Sequence, residues 1–187
     1  MTPAARISAA IEVLDDLARR RRPASEALKD WGLSHRFAGS KDRAAIASLV
    51  YDALRRRASS AYVMGSDAPR ALVLGTLSLM RGLDLAAIEA LCDGGRFAPA
   101  PLDAKERESL TRLSLDGAPA HVAGDFPKWL EEKLQDAFEG DLVAEMQACA
   151  ARAPVDIRVN TLKSERGALQ DALAHLARIE TPHAPFG

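Results

Sequence analysis

Cysteine and histidine are scarce in this sequence, and their spacing excludes several classes of site. The 187 residues include only Cys92, Cys149 and four histidines, and none of these lies at ligand spacing from another. A structural zinc site needs about four such ligands close together, and a disulfide framework needs several paired cysteines. We therefore expect no metal and no disulfide framework. A reducing compartment, the cytoplasm, fits this composition.

Aromatic residues make up only 5% of the chain, and β-branched residues are sparse outside one segment near the C-terminal end. Alanine and leucine dominate instead, which favours helices over strands. No apolar run approaches the roughly 20 residues of a membrane span, and the first residues lack the apolar core of a signal peptide. Because 48% of the residues are apolar and 27% are charged, the chain can bury a sizeable core. We predict a mostly α-helical protein with no membrane contact.

The first two thirds of the chain show the apolar periodicity of successive helices. One of them is apolar on nearly every side, which predicts that it lies at the centre of a bundle. The predicted helices are a first one from about Ile7 into Arg19–Arg22, a short one capped by Ser25 and stopped by Gly32, a long one from Ser40 to Gly65, the central one over Ala71–Met80, a fifth over Leu85–Cys92, and a sixth with a capping box of Asp103 and Glu106 that reaches about Leu113.

A boundary is expected between Gly117 and Gly124, and the pattern changes after it. Helices are predicted first, then a strand, because alternating Val155, Ile157 and Val159 would share one strand face. The predicted elements are a helix opened by Pro127 with Trp129, Leu130, Leu134 and Phe138 on its buried side, a helix over Leu142–Ala151 ended by Pro154, the strand Val155–Asn160, a helix capped by Ser164, and an extended tail Ile179–Gly187.

Positive charge is concentrated toward the N-terminus, although the whole chain carries a net charge of −1. The net charge is +4 over residues 1–96 and −5 over residues 97–187. Two arginine runs, Arg19–Arg22 and Arg55–Arg57, stand out, and such clusters attract phosphate. Arginines at helix ends also cap carbonyls and complement the helix dipole, so a purely structural role is the alternative.

The segment Asp156-Ile157-Arg158-Val159-Asn160-Thr161-Leu162-Lys163, with Phe126-Pro127-Lys128-Trp129-Leu130 before it, resembles the RNA (cytosine-5) methyltransferase family of the RsmB/NOP2/Sun type. Farther upstream, Gly39-Ser40-Lys41-Asp42-Arg43-Ala44, Leu49-Val50-Tyr51 and Leu54-Arg55 look like the helix of the NusB-like domain that precedes many bacterial members. The resemblance covers the chain and corresponds to the front half of a typical family member.

The resemblance implies a mostly α fold with a NusB-like RNA-binding helical domain over 1–120 and the start of a linker α/β subdomain over 121–187. A methyltransferase domain would follow, so S-adenosylmethionine is expected as cofactor of the parent protein and not of these residues. The partner is expected to be RNA, specifically ribosomal RNA. The candidate RNA-binding residues are Arg19, Arg20, Arg21, Arg22, Lys41, Arg43, Arg55, Arg56, Arg57, Arg158, Asn160 and Lys163.

No catalytic residue is predicted within the chain. The family's nucleophilic cysteine follows threonine and its second cysteine follows proline, whereas Leu91 precedes Cys92 and Ala148 precedes Cys149. Both cysteines are expected to be inert residues packed within helices.

Trp31 and Trp129 are expected in the core. Arg158 also has a structural alternative, an ion pair with Asp156 or Glu165.

Two other functions are compatible with the sequence. One is a free-standing NusB-like RNA-binding or antitermination protein with a divergent tail. The other is a structural helical module that binds a protein partner through the acidic C-terminal half.

Overall fold

A computed structural model describes residues 1–153 and 155–176, and within these the chain is mostly helical with no strand. By internal contacts the chain divides into two compact units, Met1–Ala151 and Arg152–Gly187. No helix in the described part is long and apolar enough to cross a membrane. The α-helices are α1 Pro3–Arg20, α2 Ala24–Ser34, α3 Ser40–Arg55, α4 Arg57–Met64, α5 Pro69–Leu79, α6 Leu85–Leu91, α7 Ala104–Thr111, α8 Ala120–Ala123, α9 Glu131–Phe138, α10 Leu142–Ala150 and α11 Arg166–Ala172, with 3₁₀ turns at Lys128–Leu130 and Glu139–Asp141.

Helix α5 is the centre of the first unit, as its sequence predicts. Every residue from 71 to 77 is buried, because α4, α1, α3, α6 and α7 all pack against this helix. The closest approach is to α4, where a Cβ added to Gly75 would lie 2.8 Å from the Cβ of Ser60. Ser60 and Thr76 share a hydrogen bond of 3.2 Å there, and Thr76 also donates to the Leu72 carbonyl at 2.8 Å. Two buried hydroxyls are thus satisfied at a tight helix contact.

The predicted long helix from Ser40 to Gly65 is wrong in one respect, because it breaks at Arg56 into α3 and α4. The cause is a residue far downstream in the sequence. Asp125, whose side chain is 0% exposed, accepts hydrogen bonds from the backbone N–H of Ser59 at 2.8 Å and from its hydroxyl at 2.7 Å. A carboxylate bound to the third residue of a helix acts as an N-terminal cap, so a new helix begins at Arg57.

Other helix ends agree with their sequence signals to different degrees. The capping box of Asp103 and Glu106 is confirmed at the start of α7. Ser25 caps no helix, because α2 begins at Ala24 after Pro23, and Gly32 does not stop it, because α2 continues to Ser34. Gly32 is instead buried in the helix beside the side chain of Arg43, so its role is in packing.

The expected strand Val155–Asn160 is absent, and so the α/β subdomain is not seen in the described residues. The alternating valines and isoleucine do not share a buried face either, since Val155 is 88% and Ile157 is 45% exposed while Val159 is buried. A strand requires a neighbouring strand for its backbone hydrogen bonds, and the described chain offers none. Pro154 and the predicted tail Ile179–Gly187 lie outside the described residues.

Two further expectations are corrected near this region. Trp129, expected in the core, is 76% exposed because it lies on the 3₁₀ turn before α9 instead of inside a helix. Ser164 does not cap the last helix, since Glu165 occupies the position before α11. The division of the chain at residue 120 stays a prediction.

Candidate functional site

The first arginine run lies at the C-terminal end of α1, and most of it is ion-paired. Arg19 pairs with Asp15 and Arg20 with Asp16 along the helix surface, while Arg22 reaches both Asp16 and Asp30. The hydrogen bond from Arg22 lowers the pKa of Asp30 below its usual range. Arg21 differs, because it is exposed in the left-handed region at φ 50° and has no carboxylate partner among the described residues.

The second run lies at the break between α3 and α4. Arg55 binds Asp52 at 2.5 Å, and Arg81 binds the other oxygen of the same carboxylate at 2.8 Å. Asp52 itself is only 6% exposed, so one buried carboxylate orients two guanidinium groups that both remain about a third exposed. Sequence reasoning missed Arg81, which stands alone in the sequence and enters the cluster only through the packing of α5 against α3.

The remaining two arginines of the second run are held differently. Arg56 donates to the buried Asp125 at 3.3 Å and therefore supports the helix break. Arg57 faces Asp67 at 3.7 Å with both side chains more than half exposed, and such surface pairs contribute only about 0–1 kcal/mol. Arg57 is thus the member of this run most available to an external anion.

Lys41 and Arg43 lie at the start of α3, apart from both runs. Asp42 between them accepts from Arg6 of α1 at 2.9 Å, and this hydrogen bond is the main reason why the pKa of Asp42 is lowered. Arg43 donates to the carbonyl of Ala38 at 2.8 Å, whereas Lys41 is exposed. Because the Arg6–Asp42 contact joins the beginnings of α1 and α3, the two helices start at the same end of the bundle. Each arginine run lies at the C-terminal end of its own helix.

The candidate residues of the second unit do not form a strand face. Arg158, Asn160 and Lys163 are all exposed. The Asn160 side chain accepts from the backbone N–H of Leu162 at 3.1 Å, and its carbonyl accepts from Lys163 at 2.9 Å. Asn160 therefore closes a local turn, as asparagine commonly does.

Both cysteines were expected to be packed and inert, and this expectation agrees with the structure for Cys92 but not for Cys149. Cys92 is buried after α6, and burial raises the pKa of its thiol, which disfavours the reactive thiolate. Cys149 is exposed on α10, in contrast to the expectation that it packs within a helix. In the part of the chain that the structure describes, no group of three or more metal-ligating side chains converges.

The glycine pair Gly94-Gly95 does not have the setting of a nucleotide-binding loop. The glycine pair Gly94-Gly95 follows helix α6, whereas a nucleotide-binding glycine loop follows a strand and opens a helix. Gly94 adopts φ 72° to make a turn, and its nitrogen donates to the carbonyl of Pro99 at 3.0 Å.

Sequence reasoning also missed a groove beside α1, with a cavity volume of about 700 Å³. Trp31 of α2 lies at its floor, where its ring stacks on His35 with 4.3 Å between ring centroids and an angle of 10°. The indole N–H donates to Glu12 of α1 at 3.0 Å, and the buried position of Trp31 confirms its predicted place in the core. Two exposed phenyl rings, Phe37 and Phe97, also line the groove.

Part of the chain is similar to a known protein family. Residues 126–186 match the family model described as Methyltr_RsmF/B-like, ferredoxin-like domain. The match supports the RsmB/NOP2-type methyltransferase family and indicates a protein related to rRNA methyltransferases. No curated protein and no solved structure matches the chain.

Proposed function

We propose that this chain is the RNA-binding N-terminal part of an S-adenosylmethionine-dependent RNA (cytosine-5) methyltransferase that acts on ribosomal RNA. Residues 1–120 would be a NusB-like domain that holds the RNA, and residues 121–187 would connect it to the catalytic domain. The observation that carries this proposal is the family match over 126–186. Within the chain itself we propose no catalytic residue, because neither cysteine stands in the family's Thr-Cys or Pro-Cys dipeptide.

The charge distribution supports an RNA-holding role for the helical part. Residues 1–96 carry a net charge of +4, and they include both arginine runs. Pairing with Asp15, Asp16 and Asp52 orients several of these guanidinium groups without burying them. Exposed arginines held in place on the surface of a bundle can contact phosphates, and such contacts supply most of the sequence-independent affinity for nucleic acids.

RNA binding by residues 1–187 can be measured by titrating single-stranded RNA at several salt concentrations. The logarithm of the association constant should fall linearly with the logarithm of salt concentration, with a slope of about −0.7 for each phosphate neutralised. The triple variant Arg21→Glu, Lys41→Glu, Arg57→Glu changes the most available cations of the candidate set. We expect weaker binding and a slope flatter by about 0.7 for each phosphate that the variant no longer neutralises.

The matched control is Lys105→Glu, Arg112→Glu, Lys133→Glu, which makes the same change in net charge at exposed positions outside the candidate set. It should reduce affinity much less. Equal losses of affinity in the two triple variants would show that only net charge matters, and an unchanged slope in the first would contradict the proposed phosphate surface. Thermal melts should coincide, because exposed charge substitutions usually change stability by no more than about 0.5 kcal/mol.

The alternative, a free-standing NusB-like RNA-binding or antitermination protein, gives no reason for the methyltransferase-family match over 126–186. Both alternatives bind RNA, so the titration does not separate them. The sequence that follows residue 187 in the gene would do so, since a methyltransferase requires a cofactor-binding domain there.

A further inference from the structure

The groove beside α1 has the size and the lining of a ligand site. Its volume of about 700 Å³ lies within the range of about 300–1,000 Å³ typical of small-ligand pockets. Phe37 is 72% exposed and Phe97 is 63% exposed, so the fold leaves two phenyl rings in water at one place. Exposed aromatic residues that line one cavity are a common feature of recognition sites.

Contacts with α1 and with the end of α2 hold the two loops that carry these rings. Ser8 of α1 donates a hydrogen bond to the carbonyl of Phe97 at 3.0 Å. His35 meets the ring of Phe37 edge-on with 5.7 Å between centroids, and the imidazole Nδ1 lies 2.9 Å from the carbonyl of Trp31. The phenyl rings are therefore placed by the fold before any ligand arrives, which lowers the entropic cost of binding.

Glu12 provides a hydrogen-bond acceptor in the same groove. One carboxylate oxygen accepts from the indole of Trp31 at 3.0 Å, and the other lies 4.0 Å from Nε2 of His35. The side chain is 57% exposed, so the second oxygen is accessible to a donor on a ligand. Ionised carboxylates only accept hydrogen bonds, and they pair well with the exocyclic amino groups of nucleobases.

A cationic side chain, Arg96, lines the same groove. The guanidinium of Arg96 lies 5.0 Å from the centroid of the Phe97 ring, a cation–π contact that keeps its charge at the groove. A ligand that carries an anion next to an aromatic ring with an amino group complements this arrangement.

We propose that the groove binds one unpaired RNA base that carries an exocyclic amino group, and this proposal rests on the proposed RNA-binding function. The base stacks against Phe37 or Phe97, its amino group donates to Glu12, and the adjoining phosphate contacts Arg96. Glu12 precedes Arg19 by seven residues on α1, a rise of about 10 Å, so one RNA strand can reach both the groove and the first arginine run.

A protein segment fits the groove less well. An apolar side chain would desolvate Glu12 without supplying a donor, which is unfavourable for a carboxylate. A lysine or arginine of a partner would satisfy Glu12 but would meet the charge of Arg96. Bases combine a stacking surface, an amino donor and a phosphate, and proteins commonly bind unstacked RNA bases on aromatic side chains.

The fluorescence of Trp31 can be used to measure binding in the groove. In a background of Trp129→Phe, which removes the exposed second tryptophan, Trp31 is the sole tryptophan and lies in the groove. Titration with hexameric rA, rC and rU should quench its fluorescence, with tighter binding of rA and rC than of rU.

Phe37→Ala with Phe97→Ala should weaken rA and rC binding by about tenfold or more, because each base stacked on an aromatic residue contributes substantially to the binding free energy. Leu33→Ala, an exposed apolar residue outside the groove, is the matched control and should bind as the background does.

Each arm distinguishes the groove from the phosphate surface. Loss of stacking removes at most the one phosphate contact at Arg96, so the salt slope should flatten by no more than about 0.7. Glu12→Gln should erase the preference for rA and rC over rU. If RNA binds with the expected slope but the phenylalanine variants bind as tightly as Leu33→Ala, the groove proposal is wrong while the proposed function stands. If AMP or CMP alone binds as tightly as the hexamers, the ligand is a free nucleotide, and the RNA-base proposal is overturned.

Discussion

At the scale of single residues, two aspartates have structural roles that could not be inferred from residue type alone. Asp52 and Asp125 have buried carboxylates. Asp52 pairs with Arg55 on its own helix and with Arg81 after α5, and Asp125 accepts from Ser59 and Arg56 at the start of α4. The desolvation of such a group is offset only when charged or N–H donors surround it, and both sites provide them. Each carboxylate also orients an arginine of the second run, so core residues determine where the exposed cations point.

The buried thiol of Cys92 should make the free energy of unfolding depend on pH. Because burial raises the pKa of this thiol, the unfolded chain ionises first as pH rises through about 8.5, the ordinary value for cysteine. The stability that the neutral buried thiol contributes is complete below that pH and is lost as pH rises through the higher folded-state pKa. We expect the denaturant midpoint of the wild type to fall between pH 8 and pH 10 more than that of Cys92→Ala.

A thiol-labelling experiment provides an independent check. A maleimide should react at once with the exposed Cys149 and with Cys92 only after unfolding. Rapid labelling of two thiols in the native protein, or parallel pH profiles for wild type and Cys92→Ala, would contradict the buried, neutral state of Cys92.

At the scale of helices, long-range partners decide features that local sequence leaves open. The apolar stripe from Ile46 to Tyr62 is continuous enough for one helix, yet Asp125 ends α3 and starts α4 by binding Ser59. The strand pattern of residues 155–160 similarly lacks its partner in the described chain. In both cases a segment's conformation depends on hydrogen-bonding groups far away in sequence.

Two helical glycines give opposite predictions for the same substitution. Gly75→Ala places a methyl group 2.8 Å from Ser60 Cβ and 2.9 Å from its Cα, so the α4–α5 contact must open. We expect it to destabilise the protein by about 1–3 kcal/mol, the usual cost of overpacking. Gly32→Ala meets only the Arg43 side chain at 3.7 Å and should stabilise α2 by up to about 1 kcal/mol through better helix propensity.

Urea denaturation of the two variants under the same conditions measures this difference. Equal midpoints for Gly75→Ala and Gly32→Ala would mean that α4 and α5 can separate at little cost, contrary to the observed approach.

At the scale of the whole molecule, one core holds most of the chain. Residues from α1 to α7 contribute to a single buried cluster around α5, and this cluster carries the groove and both arginine runs on its outside. The second unit, Arg152–Gly187, includes much of the segment that matches the methyltransferase family. The RNA-binding hypothesis therefore rests mainly on the first unit, while the family match begins within it and extends through the second.

The single core predicts cooperative loss of the first unit when its centre is disrupted. Leu77 is 3% exposed on α5, and Leu77→Asp would bury a carboxylate without a partner at a cost of several kcal/mol. We expect Trp31 fluorescence and Cys92 labelling to report unfolding together in this variant, although neither residue is on α5. Leu33→Asp, at an exposed position of α2, should leave both signals native. A cooperative melt of Leu77→Asp at the wild-type temperature would contradict the central position of α5.

The sequence by itself determined the helical class, the central place of α5, the capping box of α7 and the family motif near residue 126. These features depend on composition, on periodicity and on residues a few positions apart, and all three can be recognised in the sequence alone. The NusB-like assignment and the RNA-contacting residues remain predictions.

Only the tertiary structure decided the break at Arg56, the exposure of Trp129, the pairing of Arg81 with Asp52 and the groove between Phe37 and Phe97. Each of these joins residues that are well separated in sequence or depends on the angle at which a turn leaves a helix. Local patterns contain the apolar faces that drive helices together, but a single sequence does not specify which distant polar group reaches a given backbone N–H. For that reason the core was readable from the sequence, whereas the candidate binding surface emerged only in the folded chain.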